Sequence, residues 1–215
     1  MVKRKRSRSS SCAQVRSLGL VLACVISIAA SAQKGGAEHY YYTHQQGSFT
    51  SVPMLWYGAA KGFHGEARYN YEEVQTLSLL AGNTFTGSLK GFNYELTPMG
   101  GVLLGLTKAA TAELKIELEA GKFFFSAEPQ YVVSFEDKTD NFFYSWTEAG
   151  VSPFKFLFTG LAVQHTKLSG TRNEWEPGAF AGIQFGNLSV PVYVFNLFRA
   201  KRYFVVGVTL QLEKD

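Results

Sequence analysis

The stretch Phe63-His64-Gly65-Glu66-Ala67-Arg68-Tyr69-Asn70-Tyr71 decides how the chain is read. Phe63, Gly65, Ala67, Tyr69 and Tyr71 fall on one face of an extended strand, and His64, Glu66, Arg68 and Asn70 fall on the other. A period of two is the signature of a β-strand with unlike surroundings on its two sides. The same rhythm recurs downstream. In ELKIELEA, residues 113–120, Leu114, Ile116, Leu118 and Ala120 oppose Glu113, Lys115, Glu117 and Glu119. In FFFSAEPQYVVSFE, residues 123–136, Phe123, Phe125, Ala127, Tyr131, Val133 and Phe135 oppose Ser126, Glu128, Gln130, Ser134 and Glu136. Glu, Leu and Lys all favour helices, but helical spacing would scatter the apolar residues of ELKIELEA around the cylinder, so strand is the better reading.

Punctuation between these runs is of two kinds, and the two alternate along the chain. Lys61-Gly62, Gly121-Lys122 and Gly186-Asn187 are tight hairpin signals, with longer connections of the same class expected at TGSLKG (86–91) and Ser152-Pro153. Polar connections fall near Glu72-Glu73, Thr107–Thr111, Asp137–Asn141, Lys167–Asn173 and Arg199–Arg202. Up-and-down strands with one set of turns at each end have this property. The reading gives strands at 51–60, 63–71, 75–85, 92–103, 112–120, 123–136, 141–152, 156–166, 176–185, 188–198 and 202–213. An even strand number requires one more, and His39–His44, followed by the polar turn Gln45–Ser48, supplies it. The predicted fold is an all-β, antiparallel up-and-down transmembrane β-barrel of about 12 strands.

Alternation does not say which face is inside; two other features bear on that. Aromatics crowd the strand ends: Trp56, Tyr57, Phe63, Phe85, Phe92 and Phe123–Phe125 at one end, and Tyr69, Tyr71, Phe135, Phe142, Phe143, Tyr144, Phe198, Tyr203 and Phe204 at the other. Girdles at two membrane interfaces would produce this distribution. The polar faces also carry rows of charge. An Arg or Lys facing lipid at mid-depth costs about 2–4 kcal/mol, so the rows must face a lumen.

Composition bounds the rest. Of 215 residues 46% are apolar and 15% aromatic, which excludes a disordered chain. The net charge of +4 is misleading, because residues 1–32 hold six basic residues and no acidic one. The remaining 183 hold 15 basic against 17 acidic residues, a formal charge of −2, so a nucleic-acid reading based on pI fails. Cys12 and Cys24 both lie in the first 32 residues, so disulfides, thiol catalysis and cysteine-ligated zinc are excluded for the remainder. That leader runs from a basic stretch ending at Arg16 through the apolar LGLVLACVISIAA to Ala30-Ser31-Ala32. This is the order of a secretory signal, and 13 apolar residues are too few to span a bilayer. Residues 1–32 are expected to be a signal peptide cleaved after Ala32; lipoprotein processing at Cys24 is the rival. Residues 33–50 then form an N-terminal segment with the candidate first strand, and residues 51–215 the barrel.

The last run, RYFVVGVTLQLE, resembles the C-terminal assembly signal of outer-membrane barrels: Gly207 is followed by Leu210 and Leu212. EARYNYEE (66–73) and EDKTDNFFYSW (136–146) are similar to a group of uncharacterised outer-membrane β-barrel proteins of Gram-negative bacteria. The resemblance implies location in the cell outer membrane and this fold, not an activity. Against it stand Pro98, Pro129 and Pro191, which fall inside strands where a closed barrel has no free edge; bulges are the expected accommodation.

The candidate site is the charged row. His64, Glu66 and Arg68, with Glu95, Lys115, Glu117 and Glu128 from other strands and Glu148 as a further member, would line the lumen. They read either as a constriction that selects solutes or as an ion-pair network that fills a narrow barrel. His39, His44, His64 and His165 show no ligand spacing, and no nucleophile motif is present, so no metal, cofactor or enzymatic activity is expected. Tyr40-Tyr41-Tyr42 is expected in an interface belt. Together these readings predict a non-enzymatic barrel acting as a narrow passive channel for small-solute transport, whose partners are outer-membrane lipid and a small solute or protein. The alternatives are a plugged structural or assembly subunit and a soluble lipocalin-like binder with an apolar interior.

Overall fold

The period-two pattern is realised along nearly all of the described residues. In the computed structural model, residues 34–43, 49–171, 173–199 and 201–213 are described. The expected leader, its cleavage point, Cys12, Cys24 and His44 lie outside the described residues. The strands are β1 (Lys34–Thr43), β2 (Phe49–Gly58), β3 (Phe63–Tyr69), β4 (Thr76–Asn83), β5 (Phe85–Leu89), β6 (Phe92–Gly105), β7 (Ala109–Ala120), β8 (Phe123–Ser134), β9 (Phe142–Phe154), β10 (Leu157–Leu168), β11 (Glu174–Phe185), β12 (Leu188–Phe195) and β13 (Tyr203–Glu213). ELKIELEA is strand, within β7.

Apart from β4 and β5, each strand pairs antiparallel with its sequence neighbours, and β1 pairs with β13 from Lys34 opposite Glu213 to Thr43 opposite Phe204. Segments β4 and β5 are one strand interrupted at Thr84: both pair with β6, which closes the ring as a twelve-stranded barrel. Lys34 at the start of β1, Glu213 at the end of β13 and the tight turns lie at one end, the longer connections at the other. Gly121 and Gly186 stand in the tight turns at φ 62° and 56°, the left-handed region that favours glycine. Two expected connections are displaced: residues 86–89 belong to β5 and the turn is Lys90-Gly91, while Ser152-Pro153 lies within β9.

The prolines are accommodated without the expected bulges. Pairing of β4 and β5 with β6 lapses opposite Pro98, yet Gly82 opposes Met99 before it and Phe85 opposes Leu96 after it, in one register. The β7–β8 ladder lapses at Pro129 between Glu113–Gln130 and Ile116–Ala127, and β12–β13 at Pro191 between Ser189–Thr209 and Val192–Val206. A missing N–H costs local ladder bonds while both flanks hold the alignment.

The outer surface is apolar. Leu77, Leu79, Val102, Leu104, Leu161, Ile183, Val192 and Leu210 are all exposed on it, Leu161 to 68%. A continuous belt of this kind has no place in water and matches the lipid face of a transmembrane barrel. It also removes the lipocalin-like alternative, which needs the apolar face inward. Exposed aromatics rim both ends, among them Phe85, Phe92 and Phe123 beside the tight turns and Phe135, Trp175 and Phe204 beside the long ones.

Not every end-of-strand aromatic joins the rims. Alternation sends Tyr40, Tyr42, Phe124, Tyr144, Phe158 and Tyr203 inward, where they pack with Trp146, Phe180, Tyr193, Phe195 and Val205. Tyr40 and Tyr42 therefore leave the expected belt because they share the face of Glu38. Phe142 also turns in, against Leu103, Ala109 and Val132. The interior is thus divided: an aromatic sector along β9–β13 and a charged sector along β3 and β6–β8.

Candidate functional site within the lumen

Inward residues on one strand repeat every second position, about 7 Å apart at 3.3–3.4 Å per residue, which is within reach of long side chains linking to one another. On β3 they form a ladder: His64 Nε2 lies 2.8 Å from Glu66 Oε1, and Arg68 Nε donates to Glu66 Oε2 at 2.7 Å. From β3 the ladder crosses the lumen to β7. Arg68 donates through two nitrogens to the Glu113 carboxylate at 2.7 and 2.6 Å, and Lys115 Nζ donates to Glu66 Oε1 at 3.0 Å. Lys115 also lies 3.3 Å from Glu128 on β8. Arg68 has no solvent exposure, and Glu66 and Glu113 are each 5% exposed. Buried charges of this kind are tolerated only when paired and fully hydrogen-bonded, and the bidentate fork supplies both conditions.

One side of the network comes from a connection. Between β3 and β4, Tyr71 and Glu72 turn into the barrel. Tyr71 lies against Arg68, whose guanidinium carbon is 4.6 Å from the ring centroid, and donates to Glu128 at 3.2 Å. Glu72 accepts from Ser78 Oγ on β4 and from Gln130 Nε2 on β8 at 2.9 Å.

The lumen is unequal along its axis. At the tight-turn end it opens into a cavity of about 930 Å3 whose lining includes Glu38, Trp56, His64, Glu95, Lys115 and Glu117. Toward the long-connection end, Arg68, Thr76, Ser78, Leu103, Val132, Phe195 and Val205 lie fully buried. A polar vestibule therefore leads to a packed layer.

The seven residues singled out from the sequence all face this interior, in two groups. Glu66, Arg68, Lys115 and Glu128, with His64 at the margin, form the linked network. Glu95 and Glu117 stand opposite one another on β6 and β7 and line the vestibule. Glu148 also faces inward and accepts from Trp146 Nε1 at 2.6 Å. Sequence reasoning left Glu113 out of the candidate set although it shares the face of Lys115, and the same alternation carried the signal. Glu38 and the aromatic sector were also legible by period. Glu72 was not, since no periodicity reaches into a turn. Of the other histidines, His39 bonds Ser51 at 2.7 Å on the outer face, and His165 stacks on Trp175 with centroids 3.8 Å apart.

No family model matches the chain, and no curated protein matches it in sequence. Among solved structures it is similar to the KdgM porin at TM-score 0.58 and 15% identity, over 81% of this chain and 98% of that one. It is similar to the KdgM porin in complex with disordered oligogalacturonate at TM-score 0.59 and 13% identity, over the same shares. The NanC porin gives TM-score 0.60 at 6% identity, over 84% and 100%. What this chain shares with these porins is the fold: one closed antiparallel barrel over four-fifths of its length.

Proposed function

We propose that this chain is a non-enzymatic barrel of the bacterial outer membrane that passes small solutes passively through a narrow lumen, with the Glu66–Arg68–Lys115–Glu128 layer as its constriction. Residues 1–32 serve as the export signal, cleaved after Ala32, and the chain from residue 34 onward builds the wall. One observation carries this reading: a lipid-facing closed barrel encloses a charged vestibule of about 930 Å3 that ends on the Arg68 layer. A polar lining with ionic groups at the narrowest level is how a pore lowers the cost of admitting a hydrated solute. The fold shared with porins supports the reading.

A plugged structural barrel is the second reading, favoured by the bidentate Arg68–Glu113 pair and the aromatic sector, which fill the lumen beyond the vestibule. Planar-bilayer recording of the purified chain in potassium chloride separates the two. Single-channel steps are the expected result; a silent protein with the heat-modifiable mobility of a folded barrel would leave the plugged reading standing.

A further inference from the structure

The β3–β4 connection, residues 70–75, does more than join two strands. It leaves β3 at Asn70, where φ is +60°, and enters β4 after Gln75, where φ is +55°. Both are non-glycine residues in the left-handed region, which Asn adopts readily and Gln rarely, so Gln75 is the one that surrounding contacts hold there. Asn70 is pinned by its own bonds: Nδ2 donates to Ser51 O at 3.0 Å, and Oδ1 accepts from Gln75 N at 2.7 Å. Between these two points the chain turns Tyr71 and Glu72 inward while Glu73 and Val74 face out.

Tyr71 and Glu72 then reach past β4, β6 and β7 to the far wall. Glu72 is bonded to Gln130 and Tyr71 to Glu128, both on β8, and the Tyr71 ring meets Tyr144 of β9 edge-on at 5.9 Å. The side chains cross the packed layer as a bolt crosses a door frame. The frame itself is not saturated: Gln130 Oε1 and Gln164 Nε2 are buried without a hydrogen-bond partner among the described residues. Withdrawal of the bolt would hydrate both amides and relax Gln75, offsetting part of the bonds lost.

We infer that residues 70–75 are the gate of the lumen, swinging on Asn70 and Gln75, with Tyr71 and Glu72 as the bolt. The inference rests on the channel reading above and names what regulates that same site. It separates two roles. Arg68, Glu66 and Glu113 belong to the wall and set the constriction, whereas Tyr71 and Glu72 belong to a connection that can move without unpairing a strand. Connections are the elements drawn from the low-stability end of a fold, and this one needs only local rearrangement.

The test is single-channel recording in potassium chloride with the full chain, its Tyr71→Ala/Glu72→Ala variant and a Glu73→Ala control from the outward side of the same connection. The expected result is a severalfold rise in conductance or open time for the double variant and none for the control. Steps of equal size and duration in all three would overturn the gate and leave the channel standing. If all three are silent, and an Arg68→Ala variant is silent too, both readings fall together. A second measurement covers a misassembled double variant. Residues 33–215 hold no cysteine, so Glu72→Cys and Glu73→Cys can each be labelled with a water-soluble maleimide. Position 72 should label about an order of magnitude more slowly than 73, as a group reached only through local opening does. Equal rates would refute the bolt.

Discussion

Arg68 on β3 and Glu113 on β7 join two separate stretches of the barrel wall through two hydrogen bonds of 2.7 and 2.6 Å, with neither residue more than 5% exposed. Two strands of wall, β4–β5 and β6, separate them, so this contact, together with that of Lys115 to Glu66, braces the lumen from the inside. Taking these charges out of water is costly, and Arg68 is stable there only with its carboxylates, Glu113 and Glu66.

Removing Arg68 alone should therefore cost more than removing both residues. Arg68→Met alone is expected to lower unfolding stability by about 3–5 kcal/mol, because it leaves the buried Glu113 carboxylate uncompensated, whereas Glu113→Leu leaves Arg68 paired with Glu66 and should cost less. The double substitution should recover much of that loss. Urea unfolding in detergent micelles, run as a double-mutant cycle, measures the coupling; additive losses would show that the pair does not brace the wall.

The two faces of a strand should answer differently to charge. Leu161, 68% exposed on the outer face of β10, should cost about 2–4 kcal/mol when changed to Arg at mid-depth in the bilayer. Thr86 lines the vestibule, and Thr86→Arg should fall within about 0.5 kcal/mol of neutral, like a substitution at a watery surface. Refolding equilibria into lipid vesicles compare the two. A reversed order would contradict the assignment of faces.

The aromatic sector depends on the absence of side chains beneath it. A Cβ on Gly178 would meet Phe195 Cδ1 and the Val194 carbonyl oxygen, each at 2.7 Å, and the backbone oxygen cannot give way. Gly178→Ala is expected to destabilise the barrel by about 1–3 kcal/mol, the usual cost of overpacking, and pairing it with Phe195→Leu should recover only the part due to the ring. Thermal unfolding followed by tryptophan fluorescence reports both.

Outside the membrane, Asp137 precedes the short 3-10 turn Lys138–Asp140 and accepts from Thr139 N at 2.8 Å. That N–H holds its carboxyl below the ordinary aspartate range. The bond's contribution is present above the unfolded pKa and is lost as pH falls through the lowered folded value. Carboxyl chemical shifts of Asp137 should titrate below those of an unstructured aspartate, and Thr139→Pro, which removes the donor, should raise the midpoint. An unchanged midpoint would show that the turn does not shift this group.

Most of the wall was legible in the sequence because a period of two is a local property. FHGEARY (63–69) and ELKIELEA declared their faces unaided, whereas Tyr71, read with the outward face, turns inward beyond the end of β3; β1 followed from an even count of strands, starting at Lys34 rather than His39. Three features escaped for physical reasons. The break at Thr84 answers to Pro98 on the neighbouring strand, a non-local cause. Tyr144 and Tyr203 sit near strand ends like girdle residues, yet parity sends them inward, and composition by position ignored parity. Tyr71 and Glu72 lie beyond the last paired residue of β3, so where they point is set by partners on β8 and β9 that no local pattern reveals. The candidate site was therefore visible where it belongs to the wall and hidden where it belongs to a turn.

The assignment of inside and outside is tested most directly by the chain's three tryptophans in lipid vesicles, each kept in turn with the other two changed to Phe. Trp175 is 52% exposed on the outer face of β11, Trp146 is 9% exposed within the aromatic sector, and Trp56 lines the vestibule. Brominated lipid should quench Trp175 and spare the other two, while acrylamide should reach Trp56 and not Trp146. Quenching of Trp56 or Trp146 by brominated lipid, with Trp175 untouched, would turn the barrel inside out and contradict the account.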